Sequence, residues 1–98
     1  MNNQNSLAAK ILLTNENPHV QIRTLKSLQG KIEQGDDLYQ YINDEMLTDE
    51  RLSEAVWLQT VAAMQQVDEK ILDDHQARLA TIPDKNPYLW PEVLEVYQ

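Results

Sequence analysis

The chain has 98 residues, no cysteine and a formal net charge of −8. This length limits it to one domain with a modest core, and the lack of cysteine excludes a disulfide framework and thiolate chemistry. The negative charge repels phosphates and disfavours direct binding of nucleic acid. The N-terminus lacks the apolar segment of a secretory signal, and no run approaches the roughly 18 apolar residues of a membrane span. We therefore expect a cytoplasmic protein.

The first predicted helix is short. Ser6 is typical of an N-cap, and the following residues suggest a helix that ends near Thr14. The face expected to point inward consists of Leu7, Ala8, Ile11 and Leu12.

The second predicted helix covers residues 18–34. Asn17 and Pro18 are typical of an N-cap and a first helical residue, and Gly35 is typical of a helix end. Gly30 lies within this range and offers an alternative, earlier end, because glycine has low helix propensity. The predicted buried stripe is Ile22, Leu25, Leu28 and Ile32.

Two further helices follow in the acidic part of the chain. Asp36 or Asp37 can cap a short one, whose inward residues are expected to be Leu38, Tyr41, Ile42 and Met46. Thr48 then suggests the start of a helix over 49–80, because no proline or glycine interrupts that stretch.

A helix of that length would measure about 50 Å and exceed what a small monomer can cover. Two outcomes are open. The helix breaks near Gln65 and Gln66, or a second copy of the chain covers it in a two-fold dimer. We favour the homodimer.

The last segment, 81–98, contains three prolines within nine positions. Proline interrupts helices and pushes the preceding residue toward extended backbone, so we predict an extended arm over 81–90. Pro91 suggests the start of a short terminal helix in which Trp90, Leu94 and Tyr97 lie together. The division expected is a helical domain over 1–80 and an arm over 81–98 that belongs to the same domain.

No residue pattern indicates a catalytic, cofactor or metal site. The densest group of metal-ligating types is Asp68, Glu69, Asp73, Asp74 and His75. Metal-binding helical bundles use a Glu three residues before a His, and this group lacks that spacing. An acidic helix face that is exposed to solvent accounts for the same residues without a metal. The other histidine, His19, has no neighbouring nucleophile or carboxylate pattern. We predict that the protein is not an enzyme and holds no metal or cofactor.

Charge is divided unevenly along the chain and suggests two contact surfaces. The first 35 residues carry four basic and two acidic side chains, whereas the remainder carries fourteen acidic and four basic ones. Arg23 and Lys26 form a basic face suited to an electrostatic contact, although they can also serve solubility alone. The acidic face consists of Asp36, Asp37, Asp44 and Glu45. It either imitates a phosphate backbone or simply faces solvent.

Aromatic residues are concentrated near the C-terminus. Tyr88, Trp90 and Tyr97 supply three of the six aromatic side chains within the last eleven positions. Tyrosine and tryptophan are frequent anchors in protein interfaces. The alternative is that the tail folds back on the bundle, with Trp90 and Leu94 filling a groove.

These patterns predict an all-α protein, a small bundle of about four helices dominated by helix 49–80. The predicted function is a protein–protein interaction module: an adaptor, a regulator or a chaperone-like subunit that binds another protein and forms a homodimer. Two alternatives remain, namely an acidic inhibitor of a basic nucleic-acid-binding protein and an immunity or antitoxin-like protein that neutralises a toxic polypeptide.

Overall fold

The computed structural model describes residues 3–97, with side chains from residue 7 onward. The predicted all-α class is confirmed: this part of the chain is helical and contains no strand. The helices are α1 (Asn3–Leu13), α2 (Pro18–Leu28), α3 (Asp37–Tyr41), α4 (Glu54–Gln65), α5 (Lys70–Asp74), α6 (Gln76–Lys85) and α7 (Trp90–Val96). A π-helical turn, Ile42–Met46, extends α3, and a 3-10 turn, Pro87–Leu89, precedes α7. The expected number of about four helices is therefore too low.

None of the helices between residues 3 and 97 has both the length and the apolar composition required to cross a bilayer.

Helix α4 forms the centre of the fold. Every residue from 56 to 64 is buried, which agrees with a sequence that is apolar around most of the helix circumference. Helix α2 packs on one side of α4 and α7 on another, and α1 packs against α2 and α3. The core is therefore arranged around one buried helix.

Helix α2 begins as predicted and ends earlier than predicted. Asn17 caps it: its side-chain oxygen accepts a hydrogen bond from the backbone N–H of His19, 2.9 Å away, and Pro18 is the first helical residue. The prediction of an end at residue 34 is wrong. Gly30 has a φ of +76°, a left-handed conformation that interrupts a helix and favours glycine. The alternative end at Gly30 is the one the chain adopts.

Helix α1 exposes the face that the sequence led us to place inside. It starts at Asn3 rather than after Ser6, and its buried residues are Ala9 and Leu13. Leu7, Ile11 and Leu12, which we call the α1 stripe, are exposed by 61, 61 and 45%. The side-chain amide of Gln21 donates a hydrogen bond to the carbonyl oxygen of Leu13, 3.1 Å away, and this bond joins the end of α1 to α2.

The predicted continuous helix over 49–80 is wrong at its start. Residues 47–53 form turns, and the helix begins only at Glu54. The carboxylate of Asp49 accepts a hydrogen bond from the backbone N–H of Arg51 at 2.9 Å. Such local bonds from Asp to nearby backbone compete with helix formation, and they favour a turn here.

The same predicted helix is also interrupted twice further along. Helix α4 ends at Gln65, which agrees with the alternative of a break near Gln65 and Gln66. A second break follows at His75, where φ is −116° and ψ is 18°. At the first break the side chain of Asp68 accepts a hydrogen bond from the backbone of Lys70, and Gln34 donates to the carbonyl of Val67 at 3.0 Å. The breaks fold the segment back on the bundle, so the argument for a dimer from an uncovered long helix no longer holds.

The prediction of an extended arm from residue 81 is also wrong. Helix α6 continues through Pro83 to Lys85, with Pro83 buried. Proline inside a helix removes one backbone hydrogen bond and costs about 3 kcal/mol, but packing of the neighbouring core residues Leu79 and Ile82 offsets this cost. The segment then packs on α4 through α7.

The indole of Trp57 joins three separate parts of the chain. Its Nε1 donates a hydrogen bond to the carbonyl of Leu47 at 3.0 Å, and its ring is completely buried. The imidazole of His75 meets the ring edge-on with centroids 5.9 Å apart, and the guanidinium of Arg78 lies 4.5 Å from the ring centroid. Arg78 also donates to the carbonyls of Asp49 and Leu52, at 3.1 and 3.3 Å. We call Trp57, His75 and Arg78 the indole cluster.

Replacing Trp57 by Phe should lower the free energy of unfolding by about 2 kcal/mol, because it removes a buried hydrogen bond and leaves a small cavity. The measurement is urea denaturation followed by circular dichroism. Trp90→Phe is the matched control, since the same change at a half-exposed site should stay within about 0.5 kcal/mol. Equal effects of the two substitutions would contradict a central role for Trp57.

The pKa of His75 lies below its ordinary value of 6.5, mainly because burial disfavours the charged imidazolium; Asp74 opposes this shift and Arg78 adds to it. The folded chain therefore binds this proton more weakly than the unfolded chain does. Stability should be greatest above about pH 6.5 and decline as the pH falls through the lower pKa of the folded state.

The measurement is the urea midpoint at about pH 7.5 and about pH 5.5. His75→Gln should reduce the loss of stability between the two values, because it removes the titrating ring. His19→Gln, at an exposed position early in α2, is the matched control. If both variants lose as much stability between the two pH values as the wild type does, burial of the His75 ring does not cause the loss.

Candidate functional site

Four exposed large side chains lie in the C-terminal segment 87–97. Tyr88, Trp90, Leu94 and Tyr97, which we call the aromatic face, are exposed by 74, 50, 53 and 50%. Soluble domains expose large side chains singly more often than in clusters, and Trp and Tyr are common interface anchors. This surface can bury apolar area on a partner.

The aromatic face is exposed because another side of the same segment fills the core. Leu89, Val93 and Val96 are buried against the bundle. The tail folds back as one prediction stated, but the prediction that Trp90 and Leu94 fill the groove is wrong. A helix buries the residues on one side, and the register of α7 selects the small aliphatic side over the aromatic one.

Two hydrogen bonds connect α7 to its neighbours. The hydroxyl of Tyr97 donates to the side-chain oxygen of Gln76 at 3.1 Å, and the amide of Gln65 donates to the carbonyl of Val96. Pro87 begins the 3-10 turn and Pro91 lies in the first turn of α7, where a missing backbone N–H is tolerated. The aromatic face is thus carried by a segment anchored to α4 and α6.

The predicted acidic face is brought together in part. Asp37, Asp44 and Glu45 line one shallow depression with Lys10 and Tyr41. The Nζ atom of Lys10 lies 5.3 Å from the centroid of the Tyr41 ring, so a cation is already present beside the carboxylates. Burial, with Glu45 and Asp49 nearby, raises the pKa of Tyr41. Asp36 precedes α3 and is half-buried, apart from this depression.

The predicted basic face lies on α2. Arg23 and Lys26 are both exposed, and their spacing of three residues places them on one side of the helix. Lys26 also borders a groove between α2, α4 and α7, whereas Arg23 does not line it. The two predicted contact residues therefore differ in their surroundings.

That groove was not predicted from the sequence. It has a volume of about 740 Å³, and four glutamine side chains, Gln29, Gln59, Gln65 and Gln66, line it. We call it the amide groove. Its glutamines come from α4 and from the residues just after α2 and α4, so their sequence spacing forms no recognisable motif; only the packing of α2 against α4 brings them together.

The acidic and histidine-containing segment 68–75 is divided between different environments. Asp68 accepts a hydrogen bond from the hydroxyl of Tyr39 at 3.3 Å, and His75 packs on Trp57. Burial and Asp68 together raise the pKa of Tyr39. Across residues 3–97, no group of three or more His, Asp or Glu side chains is arranged to hold a metal ion.

The chain matches no known protein-family model, and no curated protein or solved structure is significantly similar to it.

Proposed function

We propose that this chain is a non-enzymatic module that binds another protein through the aromatic face. The observation that carries the proposal is the exposure of Tyr88, Trp90, Leu94 and Tyr97 on a segment whose opposite side is firmly packed. Rigid aromatic side chains lose little conformational entropy on binding, and their burial supplies most of the affinity in many interfaces. An adaptor, regulator or chaperone-like subunit would use such a surface.

The composition of the aromatic face indicates what the partner should offer. Its exposed side chains are three aromatic rings and one leucine. A partner with an apolar pocket would complement this surface. The binding energy should come from the apolar contact and should therefore survive moderate salt.

The partner can be trapped with a photo-cross-linking amino acid at position 94, with position 81, an exposed site on α6, as the control. The trapped protein is then purified and its affinity measured by calorimetry. Replacing Trp90 and Leu94 by Ser should weaken binding by at least about tenfold, because truncating interface anchors removes much of the binding energy. His19→Gln, at an exposed position of α2, should leave the affinity unchanged.

Two results would favour the alternatives. An acidic inhibitor of a nucleic-acid-binding protein would lose its affinity in salt and on replacement of Asp37, Asp44 and Glu45 by amides, while Trp90 and Leu94 would be dispensable. An immunity or antitoxin-like protein would protect cells against one toxin and ignore unrelated basic proteins. Either result would reject the proposed use of the aromatic face.

The proposal also includes a homodimer, formed through the α1 stripe. Leu7 and Ile11 are spaced by four residues on an exposed helix side, the pattern by which helices pair. A two-fold axis would place the stripe of one copy against that of the other. This surface replaces the long helix as the argument for self-association.

Light scattering should give the mass of two chains for the wild type and of one chain for the Leu7→Ser, Ile11→Ser variant, since serine removes the apolar contact. Trp90→Ser with Leu94→Ser is the control and should keep the mass of two chains. Point substitutions are preferable to removal of the tail, because Leu89, Val93 and Val96 belong to the core. A wild-type mass of one chain would reject the dimer.

A further inference from the structure

The amide groove contains a largely buried glutamine whose side-chain amide opens onto the groove. Gln59 is only 5% exposed and lines the groove, yet its side-chain amide makes no hydrogen bond among residues 3–97. An amide that opens onto a groove is available to donate and accept hydrogen bonds there. A ligand in the groove would supply a donor and an acceptor for this amide.

The lining of the groove restricts the chemistry of that ligand. Its charged side chains are Lys26, Glu69 and Glu95, one cation against two carboxylates, which disfavours phosphates and other anions. No aromatic side chain is among the described residues of the lining, so the groove offers no stacking surface for a nucleobase. The remaining groups are mainly primary amides, which donate and accept hydrogen bonds as a peptide group does.

Glutamine side chains already bind peptide groups elsewhere in this protein. The amide of Gln21 donates to the carbonyl of Leu13 at 3.1 Å, and that of Gln34 to the carbonyl of Val67 at 3.0 Å. Gln65, which borders the groove, donates to the carbonyl of Val96. The fold therefore uses glutamine amides to hold backbone from distant parts of the chain, and Gln59 is equipped for the same contact with a second chain.

From these observations we propose that the amide groove binds an extended peptide segment that carries a basic side chain. Gln59 pairs with one peptide group of the ligand, and Lys26 donates to a peptide carbonyl. Glu69 and Glu95 receive the basic side chain. At about 740 Å³ the groove has the size of sites that hold ligands of a few residues. This site is separate from the aromatic face and does not depend on it.

The test uses the full chain, labelled with ¹⁵N, and a blocked peptide, acetyl-Gly-Gly-Lys-Gly-Gly-amide, as the probe. Titration followed by NMR should produce saturable shifts in the side-chain NH₂ signals of Gln29, Gln59 and Gln66. Two comparison ligands separate the contributions. The peptide with Glu in place of Lys should bind at least about tenfold more weakly, because it meets two carboxylates. Lysine amide, which has the charge without the extended backbone, should bind more weakly too.

Gln59→Met keeps the volume of the side chain and removes its amide, so it should reduce the affinity for the lysine peptide by at least about tenfold. Its thermal midpoint should stay close to that of the wild type, because the side chain keeps its volume and its amide makes no hydrogen bond within the described residues. Gln40→Met, outside the groove, is the matched control, and Gln66→Ala, an exposed change within the groove, gives a second variant that should also weaken binding.

Three results would overturn the proposal: no saturable shift of the groove amides, equal binding of the glutamate peptide, or equal affinity of the Gln59→Met and Gln40→Met variants. Binding of a five-nucleotide single-stranded RNA at the same amides in place of the peptide would overturn it as well. The Trp90→Ser, Leu94→Ser variant should retain the peptide affinity. Separate variants therefore distinguish a failure of the peptide-binding proposal for the groove from a failure of the partner-binding proposal for the aromatic face.

Discussion

The fold depends on the hydrogen bond and the packing of one buried indole, that of Trp57. Trp57 is the largest side chain that is completely buried, and its single polar atom bonds to the carbonyl of Leu47. Tryptophan is buried well only where its N–H finds a partner, and this requirement holds the turns of residues 47–53 against α4. Arg78 covers the ring and donates to two carbonyls of those same turns. A residue of α6 therefore helps to fix the position of residues 47–53. A guanidinium is suited to this position, because it stacks on the ring while its planar N–H groups point outward to carbonyls.

Complete burial of α4 explains the character of the surfaces around it. With every residue from 56 to 64 inside, its polar side chains need partners within the protein. Thr60 bonds to the carbonyl of Val56 in its own helix, at 2.8 Å, whereas Gln59 faces the amide groove. The side chains on the outer faces of α1 and α7 lie outside the core, so changing them need not disturb it. The fold thereby separates residues needed for stability from residues free to make external contacts.

The sequence predicted the elements whose signals are local. Asn17 and Pro18 marked the start of α2, and the apolar stretch 55–64 marked the buried helix, because capping and burial leave direct traces in residue type. It failed where backbone partners come from distant residues. The turn at 47–53 depends on Arg78 and Trp57, and the break after Gln65 is supported by Gln34, so uninterrupted helix propensity over 49–80 gave the wrong answer. Pro83 misled in the opposite direction, since proline suggested an arm where core packing maintains a helix.

For the candidate sites, too, the sequence predicted what depends on residue type and missed what depends on tertiary contacts. Residue types alone suggested Tyr88, Trp90 and Tyr97 as candidate interface anchors, and charge alone suggested Arg23, Lys26 and the acidic residues as candidate contacts, because composition shows which side chains are able to make strong contacts. Only the tertiary structure decided which of them share a surface: the rotation of α7 exposed the aromatic side chains, and the rotation of α1 exposed its leucines and isoleucine. The amide groove depends wholly on tertiary structure, since its glutamines are separated along the chain and meet only where α2, α4 and α7 pack. By itself, then, the sequence determined the all-α class and the supply of aromatic and charged side chains, through local propensity and polarity. Their arrangement depended on which helix faces were buried, and burial is a property of the whole packed chain.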